Sequence, residues 1–591
     1  MGGDCRPDYG RNGARCPRRT TGFASPGLGV ADIPVAILEI RVIFPPLLHL
    51  MNAPRRLMQT GGGNARPPVP AAGARCRVPD RASLAPGAKF QTRTSERMFC
   101  RNRETCRLFF EVYGLTEEGI QKSNVSLSGR LVMVGFGSVG QGVLPLIRRH
   151  IALDPRRITI ITADDAGRDV ARACGVTDFR AEPVTKANYR DVLAPLLQAG
   201  DFLLNLAVDV SSVALIALCG ERGALYLDSC IEPWAGHYTD ASRSPAERTN
   251  YWLREQARAA NRRTASARPT AVLTHGVNPG LVSHFAKQAL RDVARREGAG
   301  EHEPESRDAW ARLAMRLGVK AIHVAEYDFQ VGREPKRVGE FVNTWSVEAF
   351  VAEGSQPAEL GWGTHERALP AGARTHAVGA QAAIYLEQPG VDTRVRSWTP
   401  LGGSYHGYLI THGESVSLAE YLTVEEGGRA VYRPTVHYAY RPCNDAMLSI
   451  DEFRGRGFDL QPGRRVLRDE IVQGVDELGV LLCGNRHGVY WYGSRLDIAE
   501  ARRLAPYNNA TTLQTAVGVL AGMIWAIENP ARGVVDPEEM DSGRVLEVAR
   551  PYLGEMVGVW GDWTPLQGRE RLFRERLDRD DPWQFGNILV G

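Results

Sequence analysis

Lysine is rare in this sequence, and cysteine occurs without the spacing that metal sites and disulfide frameworks need. Six of the 591 residues are lysines, and none follows Lys336. A mechanism through a lysine Schiff base therefore has few candidates. The ten cysteines form no C-x-x-C pair, and five of them lie within the first 106 residues. We therefore expect no metal site, no disulfide framework and a reducing compartment, the cytoplasm.

Long apolar runs are missing as well. The most apolar stretch, residues 29–50, contains Asp32, Glu39, Arg41 and three prolines. Because these residues interrupt it, the stretch is too broken to cross a bilayer. We expect no membrane-spanning segment.

Acidic residues are scarce only at the start of the chain. Residues 1–115 contain 18 Lys and Arg against 8 Asp and Glu, whereas the whole chain has a formal net charge of +4, so the remainder is mildly acidic. This balance disfavours nucleic-acid binding and suits a cationic substrate. Residues 1–115 are also rich in Arg, Gly, Pro and Cys without periodicity. We predict that they are a disordered extension, or follow from a start assigned too far upstream, and that the folded chain begins near residues 117–129.

The main motif of the sequence is RLVMVGFGSVGQGVLPLIRR, residues 130–149. It predicts a buried strand, a G-x-G-x-x-G turn and a helix, as in a dinucleotide-binding unit. Gly135 permits the tight turn, Gly137 allows close approach of a pyrophosphate, and Gly140 allows close packing. The N–H groups of the first helical turn, at Ser138 and Val139, point at the phosphates.

An acidic pair follows the second predicted strand. The segment RITIITADD, residues 157–165, ends in Asp164 and Asp165. A carboxylate at that place accepts hydrogen bonds from the adenosine ribose and repels the extra phosphate of NADP. The sequence therefore favours NAD.

Strands and helices alternate up to about residue 318, which is typical of a parallel sheet covered on both faces. We predict an α/β fold with a Rossmann-type doubly wound parallel sheet over residues 125–318. Polar residues at the carboxyl ends of its strands lie where ligands bind in such folds: Asn205, Asp228, Glu232, Thr274, His275 and Asn278. Asn205 and Thr274 are predicted to contact the cofactor.

The later sequence differs in texture. Residues 319–504 contain short aromatic strands, including FVNTWSVEAFV and YHGYLITHGES, and predict a second, mixed α+β domain for substrate binding and dimerisation. A long helix over 508–529 has small residues on one face, so we expect 505–565 to return to the NAD-binding domain. From this helix we expect Asn508 and Thr512 to contact the cofactor. Residues 566–591 are predicted to be a tail.

Several long segments together resemble the bacterial homospermidine synthases, a branch of the saccharopine-dehydrogenase-like group. They are VMVGFGSVGQGVLPLIRRH, CIEPW, THGVNPGLVSHFAKQAL, VAEYDFQ, FVNTWSVEAFVAEG, YLITHGES, RPCNDAMLS and NNATTLQTAVGVLAGMIWAIENP. The resemblance implies a homodimer that converts two putrescines, or putrescine and spermidine, to homospermidine. It also implies that ammonia or diaminopropane is released and that NAD is regenerated in each turnover.

Such a reaction needs carboxylates for the ammonium ends of the amine, because an unpaired cation in a closed site costs several kcal/mol. The candidates are Glu232, Glu326 and Glu353. Glu326 and Asp328 alternate along a predicted strand and face the same side of it. The alternative, that these are solvated acids at strand ends, is weakened most for Glu326 and Glu353 by the family resemblance.

Three further residues are predicted to act in catalysis. The face of Trp345 attracts an ammonium or iminium by about 1–2 kcal/mol when desolvated, although without the resemblance burial alone would explain it. Asn278 projects an amide from a strand-to-helix turn, where it is equally suited to cap the helix. His412 is the predicted proton-transfer group, because imidazole titrates near neutrality; His275 and His284 are the alternatives.

No sequence feature marks a Schiff-base residue among the lysines of the predicted folded region, which are Lys186, Lys287, Lys320 and Lys336. Lys287 lies well along a helix, and nothing in the sequence predicts its desolvation. We therefore expect a non-covalent mechanism with imines retained in the pocket.

Two other functions fit parts of the pattern. A carboxy-polyamine or saccharopine-type dehydrogenase would need an arginine clamp for its carboxylated substrate, for which Arg333, Arg337 and Arg441 are available. A non-catalytic NAD sensor would need no buried acids around the nicotinamide.

Overall fold

The structure is a computed structural model that describes residues 125–262, 268–298 and 303–591. The predicted extension, 1–115, lies outside the described residues.

A seven-stranded parallel sheet, here the nucleotide sheet, forms the first half of the fold. Its strands in chain order are Leu131–Val134, Ile158–Thr162, Asp178–Ala181, Phe202–Asn205, Leu225–Asp228, Ala271–Val272 and Val534–Val535. The spatial order is 3-2-1-4-5-6-7, which is the Rossmann order extended by one strand. The chain reverses direction across the sheet between Leu131–Val134 and Phe202–Asn205, where such folds bind dinucleotides. The predicted fold class is confirmed.

Helices cover both faces of the nucleotide sheet. They are Ser138–His150, Arg168–Ala173, Tyr189–Leu193, Ser212–Arg222 and Asn250–Arg262. All four residues of the central strand Leu131–Val134 are buried and apolar, as expected for a strand covered on both sides.

An eleven-stranded mixed sheet forms the second half. Its strands are Ala321–Asp328, Pro357–Gly361, Ala373–Thr375, Ala383–Pro389, Arg394–Thr399, Gly403–Tyr408, Thr435–Arg441, Val475–Cys483, Val489–Asp497, Glu555–Gly561 and Leu589–Val590. The central strand Ala321–Asp328 pairs in parallel with Thr435–Arg441 and antiparallel with Val475–Cys483. The expected mixed architecture is therefore present.

The other elements include small strand pairs and the helices of the second half. Small strand pairs join Val125–Ser126 with Ile151–Ala152, Val331–Gly332 with Ile471–Gln473, Glu340–Asn343 with Gly463–Val466, and Val424–Glu426 with Arg429–Tyr432. The later helices are Leu281–Arg296, Arg307–Arg316, Val347–Ser355, Gly413–Tyr421, Asn444–Gly455, Ile498–Leu504, Ala510–Glu528, Ser542–Ala549 and Phe585–Ile588.

Two segments that we predicted as strands are partly helical. FVNTWSVEAFV is a strand only over Glu340–Asn343 and then forms the helix Val347–Ser355. This helix begins where the Ser346 hydroxyl accepts the Ala349 N–H at 3.1 Å, an N-cap that stops the strand. Likewise, YHGYLITHGES ends in the start of the helix Gly413–Tyr421.

The helix Leu281–Arg296 has the bounds predicted from the sequence, but its packing differs from the predicted domain division. It contacts the strands Val475–Cys483 and Val489–Asp497 of the mixed sheet. This packing favours a domain boundary near residue 275 rather than near 318.

The helix Ala510–Glu528 packs against Ser138–His150, as the predicted return requires. Its small residues also allow close packing elsewhere: a Cβ on Gly518 would lie 2.0 Å from the carbonyl oxygen of Gly276. Among the described helices, it alone is long and apolar enough to span a membrane, with 89% of its 18-residue window buried in the protein. That burial is what a core helix shows.

The C-terminal residues also return to the fold. Glu555–Gly561 pairs with Val489–Asp497 at the edge of the mixed sheet, and Leu589–Val590 pairs with Arg394–Thr399. The predicted tail thus contributes a strand and the buried side chains of Phe585 and Ile588.

Candidate functional site

The glycine turn has the shape of a phosphate cradle. Gly135 has a φ of +87°, and an added Cβ would lie 2.6 Å from the Ala207 backbone nitrogen. A Cβ on Gly140 would lie 3.1 Å from the carbonyl oxygen of Gly135. At Gly137, by contrast, an added Cβ would meet no atom within 4 Å. Packing thus explains two of the glycines, and Gly137 borders open space.

The helix Ser138–His150 begins directly at this open space. The first N–H groups of a helix, here those of Ser138 and Val139, have no intrahelical partner, and they carry the positive end of the helix dipole. Together with Gly137, they form a site that fits a pyrophosphate.

Asp164 and Asp165 lie exposed beyond the end of the second strand of the nucleotide sheet. The Asp165 carboxylate is paired with Arg168, whereas Asp164 accepts the Ala166 N–H at 2.8 Å in the turn. Because Asp165 is already paired, Asp164 is the better candidate for a ribose.

We expect Asp164→Ala to weaken NAD binding roughly 10- to 100-fold, the scale for losing a hydrogen bond to a charged acceptor. Titration of the protein with NAD measures this change. Asp169→Ala is the matched control, because Asp169 is also an exposed aspartate near in sequence, but its carboxylate is paired with Arg172. Equal affinity of Asp164→Ala and the parent protein would contradict the assignment.

The other two cofactor residues predicted in this half, Asn205 and Thr274, form hydrogen bonds within the protein. The Asn205 amide donates to the Val210 carbonyl at 3.2 Å. Thr274, at a φ of +51°, donates its backbone N–H to the buried Asp228 carboxylate at 2.6 Å. Both residues shape the carboxyl edge of the sheet, and side-chain contact with NAD stays a prediction.

Asn508 and Thr512 have similar structural roles at the start of the long helix. The Asn508 amide donates to the Gly142 carbonyl at 3.2 Å. Thr512 forms a capping box with Asn509: its hydroxyl accepts the Asn509 N–H, and its N–H donates to the Asn509 side chain, both at 2.8 Å. Thr512 thus caps the helix, and its predicted contact with NAD also stays a prediction.

Glu326 is at the centre of a buried polar cluster. Its carboxylate accepts a hydrogen bond from the Asn278 amide at 3.1 Å and another from the Tyr438 hydroxyl. Burial raises the pKa of Glu326 to about 8, and the neighbouring Asp328 adds to the rise. The group therefore changes charge near neutral pH.

Two more buried acids continue this cluster along the sheet. Asp328 lies opposite Asp476 on the adjacent strand. Burial raises the pKa of Asp328 to about 6, and burial together with the charges of Glu326 and Asp328 raises that of Asp476. Carboxylates held in this way gain stability as anions when a cation enters.

His412 lies between two carboxylates. Its Nε2 is 3.1 Å from Glu353 Oε2, and its Nδ1 is 3.3 Å from Glu414 Oε1. Burial alone would lower the pKa of His412, but the charges of Glu414 and Glu353 raise it to about 10. The two carboxylates therefore favour the protonated imidazole at neutral pH, and the catalytic role of His412 stays a prediction.

Glu353 and Glu232 form the other acidic end of the site. The Cys230 thiol donates to Glu353 Oε1 at 3.3 Å. Glu232 is buried and accepts the Asp209 N–H at 3.3 Å. Burial raises the pKa of Glu232 well above its ordinary value, and the charge of Glu353 raises it further.

Trp345 lies between the strand Glu340–Asn343 and the helix Val347–Ser355 and is half-buried. Its indole N–H donates to the Tyr440 hydroxyl at 3.1 Å. The ring of Phe350 meets it edge-to-face at 5.5 Å. These contacts hold the indole in one orientation.

Direct contacts and electrostatic interactions thus connect five of the six predicted catalytic residues. The sixth, Trp345, joins them through Tyr440. Sequence reasoning missed several of their partners: Cys230, Glu414, Tyr438, Tyr440 and Asp476. The tyrosines had a signal, since HYAYR places two aromatic residues on one face of a strand. Cys230 and Glu414 lie two residues from Glu232 and His412, but their contacts with Glu353 and His412 depend on the fold, as does the position of Asp476 opposite Asp328.

The alternative histidines have structural roles. His275 and His284 are fully buried, with their Nε2 atoms 3.2 Å apart. Burial lowers the pKa of His275 to about 4 and that of His284 well below its ordinary value. Both rings are therefore neutral, and their remaining nitrogens bond to Gly518 and Ser542.

One expectation about the lysines is wrong. Lys287 is buried, and burial lowers its pKa to about 8. Its Nζ, however, donates to the Glu538 carbonyl at 2.7 Å and faces the ring of Trp310. Lys287 is desolvated as part of helix packing, and these contacts give no support to a covalent role.

The arginines available for a carboxylate clamp do not converge. Arg333 and Arg337 are exposed. Arg441 donates to the Pro442 carbonyl and to Asn444 beside it. This arrangement does not favour the dehydrogenase with a carboxylated substrate.

Comparisons with known proteins agree with this geometry. Residues 131–272 match the family "Saccharopine dehydrogenase NADP binding domain", and residues 276–562 match "Saccharopine dehydrogenase C-terminal domain". The chain is 54% identical over 468 residues to homospermidine synthase from Blastochloris viridis, covering 78% of this chain and 98% of that protein. It is 52% identical over 471 residues to the enzyme of the same name from Mesorhizobium japonicum, covering 78% and 97%. A crystal structure of homospermidine synthase from Legionella pneumophila in complex with NAD has a TM-score of 0.74 and 47% identity, covering 79% of this chain and 99% of that one.

Proposed function

The chain belongs to the homospermidine synthase family, and we infer that it uses NAD to convert two putrescines, or putrescine and spermidine, to homospermidine, releasing ammonia or diaminopropane. The observation that carries this inference is a cluster that we call the cation site. In it, buried Glu326 lies with half-buried Asn278 and Trp345 and with buried Glu353 and His412. Buried acids and an indole face suit a diamine whose charges must be held out of water.

The nucleotide sheet supplies residues that fit NAD. The open space at Gly137, the helix start at Ser138 and the acid at Asp164 match the pyrophosphate and the ribose. Bound NAD accepts a hydride from the amine carbon and returns it to the imine.

Different acids bind the two ammonium ends of the substrate. In this proposal Glu326 binds the ammonium next to the reacting carbon, and Glu353 with Glu232 binds the distant ammonium. Trp345 stabilises the iminium through its π face without reacting with it. Asn278, which donates to Glu326, orients that carboxylate.

Proton transfer is assigned to Glu326 because its pKa, raised by burial to about 8, lies close to neutrality. The protonated His412 keeps a hydrogen bond to Glu353 and holds that carboxylate in the site. We propose that the imines stay non-covalently bound, without a lysine adduct, and that the enzyme is a cytoplasmic homodimer.

We expect NAD to act catalytically, because each hydride removed from one amine is returned to the next. With putrescine in excess and NAD substoichiometric to it, the amount of homospermidine formed should exceed the NAD added many-fold. NADH should not accumulate steadily. Chromatography of the amines, with absorbance of NADH followed in parallel, measures both. NADH formed in proportion to the product would instead support the net dehydrogenase.

A further inference from the structure

Two tyrosines on the strand Thr435–Arg441 lie directly beside the cation site. Tyr440 is the register partner of Glu326 on the neighbouring parallel strand. Because side chains alternate along a strand, Tyr438 projects on the same face as Tyr440 and Glu326. Both tyrosines are buried, at 3% and 0% exposure.

Each tyrosine contacts a different group of the site. The Tyr438 hydroxyl donates to Glu326 Oε2, and the Tyr440 hydroxyl accepts the indole N–H of Trp345 at 3.1 Å. The two tyrosine rings stack at 5.3 Å and 16°. The ring of Tyr438 also stacks on His412, at 4.4 Å and 29°.

We propose that Tyr438 and Tyr440 are positioning residues that fix the Glu326 carboxylate and the Trp345 indole relative to each other, so that one amine cation meets both. The inference rests on the proposed function. The stack supplies the rigidity: rings held between His412 and Trp345 have little rotational freedom, so their hydroxyls hold the two partners at a set separation.

The two hydroxyls act as neutral hydrogen-bonding groups. Burial raises the pKa of both tyrosines well above the ordinary value, and the charge of Glu326 raises it further. Neither hydroxyl therefore loses its proton near neutral pH, which separates their role from that of a general acid or base.

A donor to a carboxylate favours its ionised form, so Tyr438 also affects the protonation of Glu326. Other titratable groups act on Glu326 from its own strand and from the elements packed against it. They are Asp328, Tyr405, His412, Tyr440 and Asp476. His412 favours the charged form and Asp328 opposes it, and none of these groups changes when only the Tyr438 hydroxyl is removed.

Tyr438→Phe is the first test. Without the hydroxyl, we expect kcat/KM for putrescine to fall roughly 10- to 100-fold, the range for a hydrogen bond to a charged group. The acidic limb of the pH profile should move to higher pH by about one unit, because Glu326 loses a group that stabilises its anion. Tyr432→Phe is the matched control, since the hydroxyl of this half-buried tyrosine donates to the Val319 carbonyl at 2.8 Å.

Tyr440→Phe tests the other half. We expect KM for putrescine to rise about 3- to 10-fold, the scale of one neutral hydrogen bond, while the acidic limb stays in place. In a Glu326→Gln background, Tyr438→Phe should shift no pH limb and cause little further loss of rate, because its effect passes through the carboxylate.

The inference fails if Tyr438→Phe, folded and binding NAD as the parent does, keeps the parental pH profile. It also fails if Tyr438→Phe keeps its full effect in the Glu326→Gln background, or if Tyr440→Phe leaves KM for putrescine at the parental value. If the parent protein makes no homospermidine, the proposed function itself is wrong, and that result is independent of either tyrosine variant.

Discussion

Replacing Glu326 with Gln should lower kcat/KM for putrescine roughly 10²- to 10⁴-fold, the range for a positioned proton-transfer group. The substitution keeps the shape of the side chain but removes the charge that holds the ammonium. Because burial raises the pKa of Glu326 to about 8, a neutral side chain at this position costs the fold little. Steady-state kinetics and thermal unfolding of the same preparation separate the two effects.

The parental acidic limb of kcat/KM should disappear in Glu326→Gln, since the limb reports loss of the anion as pH falls through the pKa of Glu326. Glu366→Gln is the matched control. Burial raises the pKa of Glu366 to about 7, and its carboxylate bonds to Thr435 and to the Phe585 N–H. A parental rate in Glu326→Gln would remove this carboxylate from the mechanism.

The second large effect concerns Trp345. Trp345→Ala removes the cation–π attraction, about 1–2 kcal/mol, and also the packing against Phe350 and the hydrogen bond to Tyr440. We expect kcat/KM to fall on the order of 100-fold. Trp345→Phe keeps a weaker π face and should retain partial activity, about 5- to 20-fold below the parent.

A matched control is Trp362→Ala, because Trp362 is also half-buried and packs edge-to-face on an aromatic residue, Phe585, at 6.1 Å. This change should leave KM for putrescine near the parental value. If Trp345→Ala turns over putrescine at the parental rate, Trp345 is a structural residue and the cation is held elsewhere.

The fold of the first half could be predicted because its signals are local. The buried strand Leu131–Val134, the glycine turn and the helix that follows are adjacent in sequence, and each restricts the backbone without help from distant residues. The same holds for Leu281–Arg296, whose bounds the apolar periodicity marks. The error at FVNTWSVEAFV also comes from a local signal, because a short apolar segment fits the period of a strand as well as that of a helix. The Ser346 cap decides in favour of the helix.

For the candidate site, the sequence identified residues but not their charge states. Residue type and family resemblance singled out Glu326, Trp345 and His412, but the charge of each group depends on its neighbours. His412 differs from an ordinary imidazole because Glu353 and Glu414, which lie 59 and 2 residues away in the chain, contact both of its nitrogens.

By itself, the sequence determined the Rossmann-type sheet, the mixed second domain, the preference for NAD over other cofactors and the acidic character of the site, since these follow from periodicity, motif spacing and composition. Only the tertiary structure decided which charged and buried neighbours surround Glu326 and His412, and that Tyr438 and Tyr440 contact the two groups proposed to receive the cation. The physical reason is that desolvation and Coulomb interactions act through space over a few ångströms. Strand register and helix packing set those distances.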